Sequence, residues 1–165
     1  MPESLVLMRH AKSSWRDASL GDRERPLNGR GRSTAPRVAR ALLERGWQPD
    51  RVASSPATRA LQTWQYMESE LSDPPSVEVH PALYPGGLDA VQEVLHELAG
   101  SGGTLLIIAH NPGMEYVLYA LTGESMEMKT ADAALLVREG DGAARGSVLP
   151  GGWRLDSFLR ARELS

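Results

Sequence analysis

Arg9-His10 follows directly on the apolar run Leu5-Val6-Leu7-Met8, and His110 follows directly on Thr104-Leu105-Leu106-Ile107-Ile108-Ala109. Between them, the weaker run Arg51-Val52-Ala53-Ser54 leads into Ser55-Pro56-Ala57-Thr58-Arg59. A neutral imidazole is a nucleophile, and a guanidinium is a permanently charged fork whose donors match phosphate oxygens. Two histidines and two arginines brought to one place would suit phosphoryl chemistry. His10 would attack phosphorus and carry the group as a phosphohistidine, and water would complete the second displacement. Neighbouring arginines would disfavour a second positive charge on the ring and keep it neutral. They would also face the charge on the equatorial oxygens, so stabilisation would come from electrostatics and positioning. The glycine-rich lysine loop of nucleotide-binding proteins is missing. No histidine pair has helical metal-ligand spacing, and no acidic cluster would hold magnesium. The chemistry is therefore expected to need no metal and no cofactor.

These residues can meet only if the elements before them lie side by side. Short apolar runs alternate with helical patterns along the chain, which predicts an α/β layer fold with a mainly parallel sheet. Strands are predicted at 5–8, 51–54, 77–79, 104–109, 134–137 and 153–158. A first helix is predicted from an Asn28 cap to about Arg45, ended by Gly46, with Ala35, Val38, Ala39, Leu42 and Leu43 inward. Pro36 inside it should kink the helix or break its first turn. A second helix should start with Ser55 as cap and Pro56 in first position, with Ala60, Trp64, Met67 and Leu71 facing the core. Leu88, Val91, Leu95 and Leu98 mark a third helix, closed by Gly100. Asn111-Pro112 opens a fourth, with Met114, Val117, Leu118 and Leu121 on one face. Glycine-rich sequence from Gly140-Asp141-Gly142 to Gly151-Gly152 would join the last two strands. In open α/β sheets ligands bind beyond the carboxyl ends of the strands. There the starts of the second and fourth helices would add unpaired N–H groups and dipole ends that favour an anion.

The 165 residues suit one domain, 1–165, and 41% hydrophobic residues suffice for a core. The formal net charge of -3 argues against a dedicated nucleic-acid binder. Without cysteine, disulfides and thiolate chemistry are excluded. No run reaches membrane-spanning length and no signal peptide is visible, so a soluble, cytoplasmic protein is expected. His80 and His96 are read as structural, with no recognisable partner. Arg59 falls in the first turn of a helix, where the dipole disfavours a cation, so an anion is expected beside it. The cluster Arg23, Arg25, Arg30 and Arg32 is diluted by Asp22 and Glu24. It is read as solvated surface, Arg25 excepted.

The ordered set of Arg9-His10 after a strand, Ser54-Ser55-Pro56 with Arg59, and His110 after a second strand resembles the histidine phosphatase superfamily. The stretches RHAKSSW, RPLNGRGR, SSPATRALQT, ALYPGG and AHNPG resemble its short SixA-type phosphohistidine phosphatase branch, over roughly Leu5 to Lys129. The resemblance implies a phosphoglycerate mutase-like three-layer α/β/α sandwich, its mainly parallel sheet carrying an antiparallel edge. It implies His10 as the phosphorylated nucleophile and Arg9 and Arg59 as ligands of the phosphoryl group. His110 would complete the pocket, and Arg25 would approach it. Larger relatives take a general-acid glutamate from the segment that here reads Ala82-Leu83-Tyr84-Pro85-Gly86-Gly87-Leu88-Asp89, without glutamate. The imidazole released from a phosphohistidine needs a proton less than an alcohol does. The departure therefore favours a phosphohistidine-bearing protein, a phosphorelay or phosphocarrier component, as substrate, unless Asp89 folds back as an acid. The chain also has little room for a lid, so a side chain displayed on a protein could enter. Two other readings stand beside this one: a phosphatase or mutase of a small phosphate ester, and a non-catalytic phosphate-binding or interaction module. The roles of Lys12, Ser13 and Trp15 are left open; Trp15 either flanks the pocket or packs on it.

Overall fold

A computed structural model describes residues 3–98, 102–139 and 151–165. Six strands form one sheet in the order β3-β2-β4-β1-β5-β6. They are β1 (Ser4–Arg9), β2 (Arg51–Ser54), β3 (Val77–Val79), β4 (Thr104–Ala109), β5 (Ala133–Arg138) and β6 (Trp153–Leu159). The first four run parallel; β5 is antiparallel to β1, and β6 to β5. The helices are α1 (Gly29–Glu44), α2 (Thr58–Glu68), α3 (Leu88–Glu97) and α4 (Gly113–Thr122).

Alternation along the strands explains the layers, because successive side chains point to opposite faces of a sheet. Val6, Met8, Val52, Leu106 and Ile108 pack with the inner faces of α1 and α2. Leu5, Leu7, Ala53, Leu105 and Ile107 pack with α3 and α4. The result is the α/β/α sandwich with its antiparallel edge. The central strands have both faces covered, and β1 and β4 accordingly read as continuous apolar runs.

Several local expectations change. α1 takes its cap from Asn28, whose side chain accepts from Gly31 N at 2.9 Å, yet it runs unbroken through Pro36. Packing of Ala35, Val38, Ala39 and Leu42 into the core holds it together there, whereas Leu43 is exposed and Ala41 takes the inward place. α2 begins at Thr58 behind Ala57, two residues later than Ser55-Pro56 would have it. The Ser55 side chain instead holds the turn by accepting from Ala57 N at 3.1 Å. His80 has a partner after all: its Nδ1 lies 3.6 Å from Glu97. Gly100 and the segment Gly140-Asp141-Gly142 lie outside the described residues.

The register brings the chemistry level. Arg9 pairs with Ala109, Met8 with Ile108, and Ser54 with Ile108, so the carboxyl ends of β1, β4 and β2 finish together. The turn before β5 closes over this end. Ala131 donates to the carbonyls of Arg9 and His10, both at 3.0 Å. Its φ of 67° puts a non-glycine residue in the left-handed region, a strain the surrounding structure must hold.

Candidate active site

His10 leaves the end of β1 and is 93% buried. Its Nδ1 lies 2.7 Å from the Ala11 carbonyl. A carbonyl can only accept, so Nδ1 carries the ring proton and Nε2 keeps its lone pair. Arg59, from the first turn of α2, donates its Nε to that Nε2 at 3.3 Å. The loop after His10 is anchored by Thr63 of α2, whose hydroxyl accepts from Ala11 N at 2.9 Å and donates to the Arg59 carbonyl at 2.7 Å. One threonine thus ties the histidine-bearing loop to the arginine-bearing helix turn.

His110 leaves the end of β4, and its ring centroid lies 5.1 Å from that of His10. Its Nε2 is 2.7 Å from Ser55 Oγ. That oxygen also accepts from Ala57 N; when its hydroxyl donates to Nε2, the His110 proton lies on Nδ1. Burial holds both rings neutral. His10 is lowered to about 3, by burial first, with its bond to the Ala11 carbonyl opposing and the Arg59 and Arg9 cations pushing the same way as burial. His110 is lowered to about 4, by burial and then by Arg59. Arg9 donates to the Met128 carbonyl at 3.1 Å.

A cavity of about 220 Å³ lies among Arg9, His10, Arg59, His110, Arg25 and Asn111, with Lys12, Ser13, Trp15 and Thr130 on its border. Among the described residues no carboxylate lines it. Arg9 Nε, His110 Nδ1 and Asn111 Oδ1 are buried with no partner among the described residues. Unpaired buried polar atoms are rare in folded proteins, and here three of them sit on residues around one cavity. Arg9 Nε is a donor, and His110 Nδ1 is one when Ser55 donates to the other ring nitrogen; such donors fit an oxyanion. Among the described residues no three histidine or acidic side chains gather as a metal ion would require.

All four sequence-predicted residues, His10, Arg9, Arg59 and His110, border this cavity, and so does Arg25. Arg25 is buried. It donates to Ser13 Oγ at 2.8 Å and to Asp22 at 3.1 Å, and stacks on the exposed Trp15 ring at 3.5 Å. Ser13 and Trp15 therefore hold Arg25. Asp89 is exposed on the first turn of α3 and does not line the cavity.

Sequence reasoning missed Asp22. Its carboxylate takes Arg59 Nη2 at 3.0 Å, Arg25 and the Tyr84 hydroxyl at 2.6 Å, while its carbonyl takes Arg59 Nη1 at 2.6 Å. These partners, the tyrosine hydroxyl foremost, hold its carboxyl far below the usual range, so it stays ionised. A signal did exist: a cation in a first helical turn calls for an anion, and Asp22 is one. Tyr84 lay inside a quoted stretch but had no role assigned. Its ring meets His110 edge-on at 5.4 Å between centroids.

Comparison with known proteins agrees with this geometry. Residues 5–84 match the family model of the histidine phosphatase superfamily (branch 1). The chain is 34% identical over 166 residues to an uncharacterized chloroplastic protein of Arabidopsis thaliana, covering 94% of this chain and 76% of that one. It is 33% identical over 132 residues to phosphohistidine phosphatase SixA of Escherichia coli, covering 78% of this chain and 81% of that protein. Among solved structures it is similar to the protein histidine phosphatase SixA complexed with tungstate, with TM-score 0.81 and 26% identity over 96% of this chain and 97% of that one. The buried histidine pair, its arginines and these relatives lead to one assignment: the chain is a phosphatase and belongs to the histidine phosphatase superfamily, in its SixA-type branch.

Proposed function

We propose that the protein hydrolyses phosphohistidine displayed on another protein, through a phosphohistidine of its own at His10 and without a metal ion. The observation that carries this reading is His10 itself: buried, neutral, with its proton committed to Ala11 and Nε2 facing Arg59. In the first step Nε2 forms a bond to phosphorus while the P–N bond of the substrate breaks. The departing imidazole takes its proton from water. In the second step water attacks the phosphorus on His10, releases inorganic phosphate and restores the free ring. Arg59 already touches the attacking nitrogen, so its guanidinium reaches oxygens of a group bound there. Arg9 brings an unpaired donor to the same cavity, His110 an unpaired ring nitrogen, and Arg25 adds charge at its border.

The substrate class follows from what the cavity lacks. An alcohol leaves poorly without a proton donor, and among the described residues no carboxyl lines this cavity. Asp22 is close but remains ionised, and Tyr84 is pushed towards a higher pKa by its bond to Asp22. Imidazole leaves more easily, so a phosphoramidate fits better than a phosphate ester. The SixA relative is a phosphohistidine phosphatase, which supports the same choice.

The test is a quench experiment with a labelled phosphohistidine carrier protein and a panel of phosphate esters. The expected result is an acid-labile, base-stable adduct on His10, absent from His10→Ala, whose turnover falls at least about a thousandfold, or roughly 4 kcal/mol of barrier. Ester turnover equal to that of the carrier would overturn the substrate class. Activity should survive a chelator, and its loss would overturn the metal-free mechanism.

A further inference from the structure

Beside the catalytic cavity lies a second, larger cleft of about 490 Å³. It is walled by α1, by the turn 129–132 and by the C-terminal turn Ala161–Glu163. Arg9, Lys12 and Thr130 border both spaces, so the two adjoin. The other cations of the cleft are Arg30, Arg37, Lys129 and Arg162. These four and Lys12 are exposed, and among the described residues none of them forms an ion pair.

The one acid among the cleft's described residues does not balance them. Asp132 is 98% buried. Its Oδ2 takes Arg160 at 3.1 Å and Lys129 N at 2.8 Å, and its Oδ1 takes Ala161 N at 2.9 Å. Its charge is therefore spent on the turn it builds. Six cations collect around this space in a chain whose formal net charge is -3. Charge of one sign concentrated in a concave surface focuses potential and raises the local concentration of an opposite partner.

We propose that this cleft docks acidic side chains that flank the phosphohistidine on the protein substrate. The inference rests on the phosphohistidine reading above. The form of the site favours a protein over a small ligand. Its charges stand exposed on long, flexible stems around an open cleft, where a pocket for a small polyanion would bury and fix them. A substrate seated with its phosphoryl group between Arg9 and Arg59 would lay neighbouring carboxylates along α1 and the turn 129–132. Such contacts act mainly on encounter and partner choice, and salt weakens them.

Two unphosphorylated peptides test the cleft by itself, one with glutamates flanking its histidine and one with glutamines. By fluorescence anisotropy at low salt, the protein should bind the glutamate peptide at least about tenfold more tightly, with the difference shrinking as salt rises. Arg30→Glu with Arg37→Glu should remove the preference, and Arg162→Glu, on a separate element, should reduce it. Equal binding of the two peptides, or an unchanged preference in both variants, would overturn the proposal. So would pyrophosphate binding that the variants lose while the wild type ignores the peptides; the cleft would then serve a small polyanion. The phosphorylated peptides read the underlying function. In Arg30→Glu/Arg37→Glu, kcat/KM for the phosphorylated glutamate peptide should fall about tenfold, with free phosphohistidine turned over as before. If the wild type turns over no phosphohistidine, the functional reading fails, while the binding measurements still decide what the cleft prefers.

Discussion

His10 shows how a buried position prepares a nucleophile. Burial holds its pKa near 3, and the cations of Arg59 and Arg9 push the same way, so the ring is unprotonated well below neutrality. The pH profile of kcat/KM should therefore lack an acid limb near the ordinary histidine value of about 6.5. Activity should persist to about pH 5 against a substrate that is stable there. A wild-type limb at about 6.5, with a substrate that does not itself titrate there, would contradict the buried, neutral ring. Asp22 acts on the same site through Arg59 and also holds Arg25 and Tyr84. Asp22→Asn keeps the shape but removes the charge that fixes the Arg59 fork. kcat/KM should fall about tenfold, or ~1.4 kcal/mol. Tyr84→Phe, which removes a single bond to Asp22, should have the smaller effect; the reverse order would mean that Tyr84 acts on its own account.

At the scale of the element, α1 is placed by two contacts with the catalytic loop. Asn28 N donates to the Lys12 carbonyl at 3.0 Å. Gly31 lies so close to that carbonyl that a β-carbon would overlap it. Gly31→Ala should therefore cost about 1–3 kcal/mol and also lower kcat, because the displaced backbone is two residues from His10. Asn28→Ala should cost about 1 kcal/mol through the lost cap, with kcat nearly unchanged. Chemical denaturation paired with steady-state kinetics separates the two cases. Equal kinetic effects would mean that Gly31 only stabilises the helix.

At the scale of the whole molecule, two neutral buried histidines make stability depend on pH. Both pKa values are lower in the folded state, at about 3 for His10 and about 4 for His110. The unfolded chain, with ordinary histidines, binds more protons between those values and about 6.5. Stability is thus fully present above about 6.5 and is lost as pH falls through about 4 for His110 and about 3 for His10. The urea midpoint should drop across that window, and replacing both histidines with glutamine should flatten the drop. An unchanged slope would mean that the rings are not buried neutral. The sequence by itself determined the strands, the four helices and the placing of Arg9, His10, Arg59 and His110 at or after strand ends. Each of those follows from local information: apolar runs of strand length, helical stripes and caps. The pairing of β1 and β2 with β4 then brought those ends together. Tertiary structure alone decided the remainder. It made Asp22 the anion beside Arg59, moved the start of α2 past Ser55 so that this serine could meet His110, and kept α1 whole through Pro36. It also turned Asp89 away from the cavity and set Arg30 and Arg37 of α1 beside Lys129 and Arg162. These outcomes depend on which loop folds over which sheet edge. Such contacts join residues far apart in the chain, and their spacing along it carries no periodicity to read.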